Sequence, residues 1–309
     1  MIKILIELPT WLGDSVMTTP AIENCIKYFG NVEITLLGSL VSTEVLKSHP
    51  KVIKTYLLDK NFIYLYKTLK SFDEFDVFFS FRSSFRAKVI KFLVPSQSKY
   101  QFDNKKYIKG HQVEKYNNFV NDSLKINTIA SKLLLHNIKL VKSNKNKLLG
   151  INPGASYGEA KQWYPSRFSE VAIELSSEYD IIIFGGPGEK EIAEDIEKYL
   201  ISAGVNNYQN LAAKISIREL ISRVSNLDLF ITGDSGPMHL AAALQIPTVS
   251  IFGPTKFKET AQWMNKKSKI VRKNLDCQPC MKRVCPLKHH KCMKMIEASE
   301  VLEAVNNLN

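Results

Sequence analysis

The turn 233–237, Gly-Asp-Ser-Gly-Pro, has the residue types of an anion-binding site. It follows a short apolar run at 229–232 and precedes an alanine-rich run at 239–246. Because the free N–H groups and the dipole of a helix N-terminus attract negative charge, a Gly/Ser turn feeding a helix predicts a diphosphate site. Proline is favourable at a first helical position, and Asp234 or Ser235 is placed to cap the helix. A turn that only connects two elements is the plain alternative.

Asp14 is a candidate general base. It follows the apolar run 2–8 in the turn Trp-Leu-Gly-Asp, just before a predicted helix over 16–28. A carboxylate held there could take a proton from an attacking hydroxyl, whereas a helix cap is the common structural use of aspartate at such a boundary. A dinucleotide fingerprint needs three spaced glycines after the first strand, and only Gly13 is present, so an NAD site is not predicted.

Arg82 and Arg86 follow the predicted strand 75–81, where open α/β sheets bind ligands. Their spacing of four places both on one face of a helix start. Guanidinium groups suit phosphates and carboxylates, so the pair predicts an anionic acceptor. Two solvated arginines are the alternative.

Four of the five cysteines cluster near the C-terminal end, at Cys277, Cys280, Cys285 and Cys292. A Cys-x-x-Cys start in a reducing compartment favours zinc over a disulfide. Metal sites usually show two close pairs, and only one is present here, so four reduced, packed thiols are the alternative. We expect a compact structural loop that tethers the last helix and lies far from the chemistry.

The composition is that of a soluble globular protein with anionic partners. The chain has 309 residues, 45% hydrophobic residues and a net charge of +12. No apolar run approaches the ~20 residues of a membrane span, and the N-terminal apolar run is too short for a signal peptide. These features predict a cytoplasmic protein. Arginines interleaved with aromatic residues are absent, so nucleic acid is not an expected partner.

Strand and helix patterns alternate along the chain, which predicts parallel, doubly wound sheets. A polar, lysine-rich run at 142–147 is the predicted linker, so the expected domains are 1–145 and 146–309. An aromatic stripe in the predicted helix 62–71 (Phe62, Tyr66, Leu69) is interpreted as core. Segments from about 110 to 137 are predicted as longer helices.

The stretch 228–254 resembles the signature of glycosyltransferase family 9, the bacterial heptosyltransferases. The segment 11–21, Trp-Leu-Gly-Asp-Ser-Val-Met-Thr-Thr-Pro-Ala, is similar to the family's N-terminal motif. So is 152–165, in which Asn-Pro-Gly-Ala-Ser and Trp-Tyr-Pro flank six variable residues. The resemblance implies the GT-B architecture of two facing Rossmann-like domains, the first for acceptor and the second for donor, with the last helix packing back towards the first.

The resemblance also implies roles for individual residues. Asp14 would face the cleft as general base, and Lys161 with Ser156 would hold the donor diphosphate in place of a metal. As a plain alternative, Lys161 is a surface lysine. Glu189 or Glu191 would bind ribose, and His239 would lie beside the nucleotide. The implied donor-binding set is completed by Gly13, Asp234, Ser235, Gly236 and Pro237.

The implied reaction is inverting transfer of heptose from ADP-heptose to the first heptose of the lipopolysaccharide inner core. The cysteine-rich tail and Trp11 favour the second-heptose branch of the family. The acceptor would be Kdo-lipid A bearing one heptose, and the enzyme would make peripheral contact with the inner membrane at its cytoplasmic face. No cofactor beyond the possible structural zinc is expected. The alternatives are another acceptor within the family and a non-catalytic protein that binds nucleotide or anionic lipid.

Overall fold

A computed structural model describes residues 1–59, 61–138 and 146–308. The chain forms two compact units, Met1–Asn137 and Ile138–Asn309. The predicted boundary at 145/146 falls later in the chain than this division, and most of the predicted linker lies outside the described residues.

The first unit contains a five-stranded parallel sheet in the order β3-β2-β1-β4-β5. Its helices follow the strands as the alternating pattern predicts. The strands are β1 (Ile2–Glu7), β2 (Val32–Gly38), β3 (Val52–Leu57), β4 (Phe75–Ser80) and β5 (Ser96–Gln101). The helices are α1 (Leu12–Met17), α2 (Thr19–Phe29), α3 (Leu40–Leu46), α4 (Phe62–Lys70), α5 (Phe85–Leu93) and α6 (Gln112–Leu124).

The second unit contains a six-stranded parallel sheet in the order β11-β10-β9-β6-β7-β8. The strands are β6 (Lys147–Asn152), β7 (Tyr179–Ile183), β8 (Tyr208–Asn210), β9 (Leu229–Gly233), β10 (Thr248–Phe252) and β11 (Ser268–Arg272). The helices are α7 (Pro165–Leu175), α8 (Lys190–Ser202), α9 (Ile217–Val224), α10 (Gly236–Ala243), α11 (Phe257–Thr260), α12 (Lys291–Lys294) and α13 (Ala298–Asn306).

The central strands are buried on both faces, as their nearly continuous apolar runs require. Every residue of β9 and of β10 is buried, and so are the last four residues of β1. This confirms the predicted class of two parallel α/β sheets. Helix α13 packs on α7 and β11 of its own unit, and its predicted return towards the first unit stays a prediction. Across the described residues, the helices are too short or too polar to cross a membrane.

Three local predictions are wrong. The helix expected over 16–28 is two helices, α1 and α2, because Pro20 near the start of α2 cannot donate to the preceding turn. The chain after α6 continues without regular structure from 126 to 138. The aromatic stripe of α4 is split, because Leu69 is buried in the core whereas Phe62 and Tyr66 are exposed.

Candidate active site

The second sheet has its topological switch point between β6 and β9, which lead to connections in opposite directions. Ligands of open α/β sheets bind at the carboxyl ends of such strands. Asn152 ends β6, and its Nδ2 donates to Ser235 Oγ at 3.1 Å and to Thr232 Oγ1 at 3.4 Å. The buried amide therefore joins the end of β6 to the predicted anion-binding turn after β9.

A partly buried ion pair lies beside this turn. Lys161 Nζ is 2.7 Å from Asp234 Oδ2 and donates to the Asp234 carbonyl oxygen at 3.3 Å. The same carboxylate oxygen accepts a hydrogen bond from Thr255 Oγ1 at 2.6 Å. Only 13% of the Lys161 side chain and 6% of the Asp234 side chain are exposed, so Lys161 is not a solvated surface lysine. With two donors directed to Asp234, an ammonium group has one N–H left for a ligand.

Ser235 occupies the N-cap position of α10, but its side chain makes no capping hydrogen bond. Its hydroxyl instead contacts Asn152 and Thr232. Asp234 does not cap the helix either, since its carboxylate is engaged by Lys161 and Thr255. The first turn of α10 thus presents N–H groups that can bind an anion, that of Gly236 included, whereas Pro237 has no N–H to contribute. His239 is buried within this helix.

Glu189 and Glu191 differ in their surroundings. The Glu189 carboxylate accepts from the Gly186 N–H at 2.7 Å and from Ser156 Oγ at 3.5 Å, so it lies beside the loop after β6. It also lies over Gly154, where any Cβ would collide with it. Glu191 is exposed in the first turn of α8. Of the two carboxylates left open by the sequence, Glu189 is the one that contacts Ser156 and the loop after β7.

In the first unit, Asp14 lies in the first turn of α1 and the N-cap is Trp11, so the capping alternative for Asp14 is wrong. Asp14 is hydrogen-bonded to Tyr116 of α6. Burial and the nearby Asp14 charge raise the pKa of Tyr116 well above its usual value, so this hydroxyl keeps its proton and donates. Gly13 is buried in the same helix. Tyr116 therefore fixes the direction of the candidate base.

Arg82 and Arg86 do not form the helical pair that their spacing predicts. Helix α5 starts at Phe85, so Arg82 lies in the preceding turn. Arg82 Nη1 donates to the buried Glu7 at 3.4 Å, and Ser80 Oγ donates to the other Glu7 oxygen at 2.6 Å. Burial raises the pKa of Glu7, while Ser80 and the arginines oppose that rise.

Arg86 has different contacts. Its guanidinium donates to the Asp59 carbonyl oxygen and stacks on the Phe62 ring, 5.3 Å from the centroid. Both arginines are anchored in the first unit, so the alternative of two solvated side chains is also wrong.

Cys277, Cys280, Cys285 and Cys292 line one small cavity together with His289 and His290, and no disulfide joins them. Burial, together with the charges of the other three thiols, raises the pKa of the Cys292 thiol to about 11. Thiols are ligands that zinc and iron prefer, but no three of these described cysteine and histidine side chains bring their ligand atoms within 4.8 Å of one another, so the cluster is not a preformed tetrahedral site.

The cysteine segment contacts the loop that carries Lys161, so the expectation that it lies far from the candidate site residues is wrong. Ala160 N–H donates to the Arg283 carbonyl oxygen at 2.9 Å, and the Tyr157 hydroxyl donates to the Met281 carbonyl oxygen at 2.7 Å. The ring of His290 contacts the Ala160 carbonyl oxygen at 3.1 Å. The segment therefore holds the loop that carries Lys161. It also adjoins the end of the chain, since the Trp163 indole donates to Ile296.

A histidine cluster in the first unit has no counterpart in the sequence predictions. His49 Nε2 and His136 Nε2 lie 3.0 and 2.9 Å from the same oxygen of Glu23. Their ligand atoms lie within 4.8 Å of one another, as in a metal site. However, His49 Nδ1 accepts from the Lys51 N–H at 3.0 Å, so Nε2 carries the proton and cannot ligate a metal. Glu23, His49 and His136 therefore form a hydrogen-bonded cluster rather than a metal site.

A family profile, glycosyltransferase family 9 (heptosyltransferase), matches residues 79–291. The lipooligosaccharide heptosyltransferase 2 of Campylobacter jejuni serotype O:2 is 42% identical over 99% of this chain and 98% of its own length. The chain belongs to glycosyltransferase family 9. It is accordingly a glycosyltransferase, as the sequence motifs predict.

Solved structures agree with the fold of this family 9 transferase. ADP-heptose lipopolysaccharide heptosyltransferase II of Escherichia coli aligns with a TM-score of 0.81 at 21% identity, covering 99% of this chain and 98% of that one. The Escherichia coli heptosyltransferase WaaC with ADP aligns with a TM-score of 0.77 at 15% identity, covering the whole of both chains.

Several side chains of the family 9 site escaped sequence reasoning. Asn152 is the last residue of β6, and Thr255 follows β10. Because ligands bind at the carboxyl ends of such strands, both could have been predicted from the sequence. Glu7 also ends a buried strand. Tyr116, Tyr157 and His290 gave no local signal, because each acts through a residue distant in sequence.

Proposed function

We propose that this enzyme is a heptosyltransferase of the second-heptose type. It moves heptose from ADP-heptose to the first heptose of a lipopolysaccharide or lipooligosaccharide inner core, with inversion at the transferred carbon. The observation that carries the proposal is the Lys161–Asp234 pair beside the uncapped start of α10, at the switch point of the second sheet. The full-length similarity to a lipooligosaccharide heptosyltransferase 2 supports the acceptor assignment.

The leaving group is ADP, and the second unit offers positive charge for its phosphates. Lys161 supplies the N–H that Asp234 does not use, and the first turn of α10 supplies backbone N–H groups. Preorganised donors of this kind stabilise the charge that develops on the leaving oxygen. Asp234, being anionic, acts by orienting Lys161 rather than by contacting phosphate. No divalent cation is required in this mechanism.

The nucleoside is bound by neighbouring loops of the same unit. Glu189, held by the Gly186 N–H, presents its carboxylate beside Ser156, where it can accept from ribose hydroxyls. Ser156 lies on the loop that leads to Lys161, within reach of the diphosphate. His239 is buried in α10, two residues after Pro237, and we assign it a place beside the nucleotide.

The nucleophile is a hydroxyl of the acceptor heptose, and Asp14 takes its proton as the C–O bond forms and the bond to ADP breaks. Tyr116 holds the Asp14 carboxylate in one orientation. Gly13 precedes Asp14 within α1 and is buried. Arg82 and Arg86 provide positive charge for the phosphate and carboxylate groups of Kdo-lipid A, and the reaction takes place at the cytoplasmic face of the inner membrane.

The test is acceptor-dependent release of ADP by the purified protein. ADP-heptose with a heptose-bearing inner-core acceptor is expected to give ADP and a product larger by one heptose. Turnover should persist with a chelator. An acceptor without heptose should give none, and equal turnover on that acceptor would replace the proposal by first-heptose transfer. ADP binding without release of product from any acceptor would indicate a non-catalytic binding protein.

A further inference from the structure

Helices α4 and α5 carry a cluster of large apolar side chains that the described residues of the first unit leave exposed. Phe92 is 81% exposed, Phe85 79% and Ile63 66%. Phe62 and Tyr66 are exposed beside them. The two helices contact each other, and the Arg86 guanidinium stacks on Phe62 between them. Single exposed hydrophobic residues are ordinary, but a contiguous group on neighbouring helices indicates an interaction surface.

These residues are not needed for the core. Leu65 and Leu69 of α4 and Ile90 of α5 are fully buried in the cluster that packs on the sheet. Each helix therefore already packs on the sheet through other apolar side chains. Phe85 and Phe92 are seven residues apart, so they share one outward face of α5 with Lys88.

The charge on both helices is of one sign. Their sequences, Phe-Ile-Tyr-Leu-Tyr-Lys-Thr-Leu-Lys and Phe-Arg-Ala-Lys-Val-Ile-Lys-Phe-Leu, contain no acidic residue. Lys67, Lys70 and Lys88 are exposed and Lys91 is half-buried, next to the aromatic side chains. We call this set of exposed apolar and lysine side chains the α4–α5 surface.

We propose that the α4–α5 surface docks on an anionic lipid membrane. Helices that lie in the membrane interface combine aromatic and aliphatic side chains with lysines in this way, and each lysine near an anionic bilayer adds attraction. Lysine is depleted in protein–protein interfaces, so a lipid surface fits this composition better than a protein does. The inference deepens the proposed function, because a lipid-linked acceptor would lie in the same membrane.

The experiment is sedimentation of the full chain with vesicles of phosphatidylcholine, with or without phosphatidylglycerol. The protein is expected to bind the anionic vesicles and to lose binding as salt is raised. Phe85→Ser/Phe92→Ser should weaken binding by at least about tenfold through loss of apolar burial. Lys88→Gln/Lys91→Gln should weaken it by about fivefold for each lysine at low salt.

The matched control is Tyr199→Ser/Ile201→Ser, which removes two exposed apolar side chains from α8 in the second unit. It should bind vesicles like the parent, and all variants should melt like the parent. Vesicle binding that the α4–α5 variants leave unchanged would overturn the inference. So would a protein that ignores vesicles and forms a dimer dissociated by the Phe85/Phe92 change, since a second copy would then cover the surface.

A water-soluble, deacylated acceptor separates this inference from the proposed function. With that acceptor, ADP release by the phenylalanine variant should equal that of the parent, whereas vesicle binding falls. If the parent releases no ADP with any heptose-bearing acceptor, the proposed function fails, yet the vesicle measurement still decides the docking surface.

Discussion

Replacing Lys161 by alanine separates the role of this side chain in catalysis from its role in stability. The change removes the ammonium group of the Asp234 ion pair and leaves that carboxylate, 6% exposed, with Thr255 as its side-chain partner among the described residues. Breaking a buried pair in this way costs about 3–5 kcal/mol, because the remaining charge stays desolvated. For a unit of this size, 3 kcal/mol lowers the melting temperature by roughly 6–12 °C.

The same variant should lose turnover, because Lys161 supplies charge where the ADP leaving group develops it. Removing one such preorganised donor costs about 10²–10³ in kcat. The double variant Lys161→Ala/Asp234→Asn tests the reasoning, since it removes the unpaired charge. It should recover much of the lost stability but none of the lost turnover, measured by thermal unfolding and by ADP release.

Lys198→Ala is the matched control for Lys161. Lys198 also makes a 2.7 Å ion pair, with Asp195, but the two side chains are 74% and 49% exposed. Such a surface pair contributes about 0–1 kcal/mol, so its loss should change neither melting nor turnover measurably. A Lys161→Ala enzyme with the turnover of the parent, or a double variant that regains activity, would refute the assignment of Lys161 to the leaving group.

Three further perturbations follow from the geometry. Asp14→Asn should keep the ADP affinity, measured by calorimetry, while kcat for ADP release falls by roughly 10²–10⁴. Tyr116→Phe should lower kcat less, and the double variant should be no slower than Asp14→Asn alone. Cys280→Ser should lower the melting temperature and also weaken ADP binding, and elemental analysis of protein purified without added metal distinguishes a zinc-bound cluster from four reduced thiols. Glu23→Gln should melt below the parent at neutral pH, with a gap that closes in acid.

The direction of the last effect comes from the pKa of Glu23. Burial alone would raise it, but hydrogen bonds from His49 and His136 outweigh burial and hold it below the ordinary 4.5 of glutamate. Its stabilising contribution is therefore present above that value and is lost as pH falls through the lowered folded-state pKa. A melting difference that stays constant from neutral to acidic pH would contradict this account.

Asp14→Asn and Cys280→Ser are checked by turnover, melting and ADP affinity rather than by a pH dependence. Normal melting and turnover of Asp14→Asn would reduce Asp14 to a structural residue. For Cys280→Ser, the buried Cys25 on α2 provides a cysteine outside the cluster. Cys25→Ser should leave ADP affinity unchanged, and equal ADP affinity in the parent and in Cys280→Ser would mean that the cysteine segment does not hold the Lys161 loop.

The sequence alone predicted the two parallel sheets and the turn after β9. Strands that are buried on both faces have continuous apolar runs in the sequence, so β9 and β10 can be located before any tertiary contact is known. The turn at 233–237 can also be predicted from local sequence, because glycine and proline have strong backbone preferences at turns and helix starts. The sequence also placed Asp14 and Lys161 as candidates, through their motifs.

Only the tertiary structure decided what these side chains touch. Lys161 meets Asp234 because β6 and β9 are neighbours at the switch point, an order that the apolar pattern of either strand does not encode. For the same reason Tyr116 of α6 reaches Asp14, and the cysteine segment lies on the loop that carries Lys161. Local periodicity reports which face of an element is buried, whereas strand order and packing decide which distant element covers it.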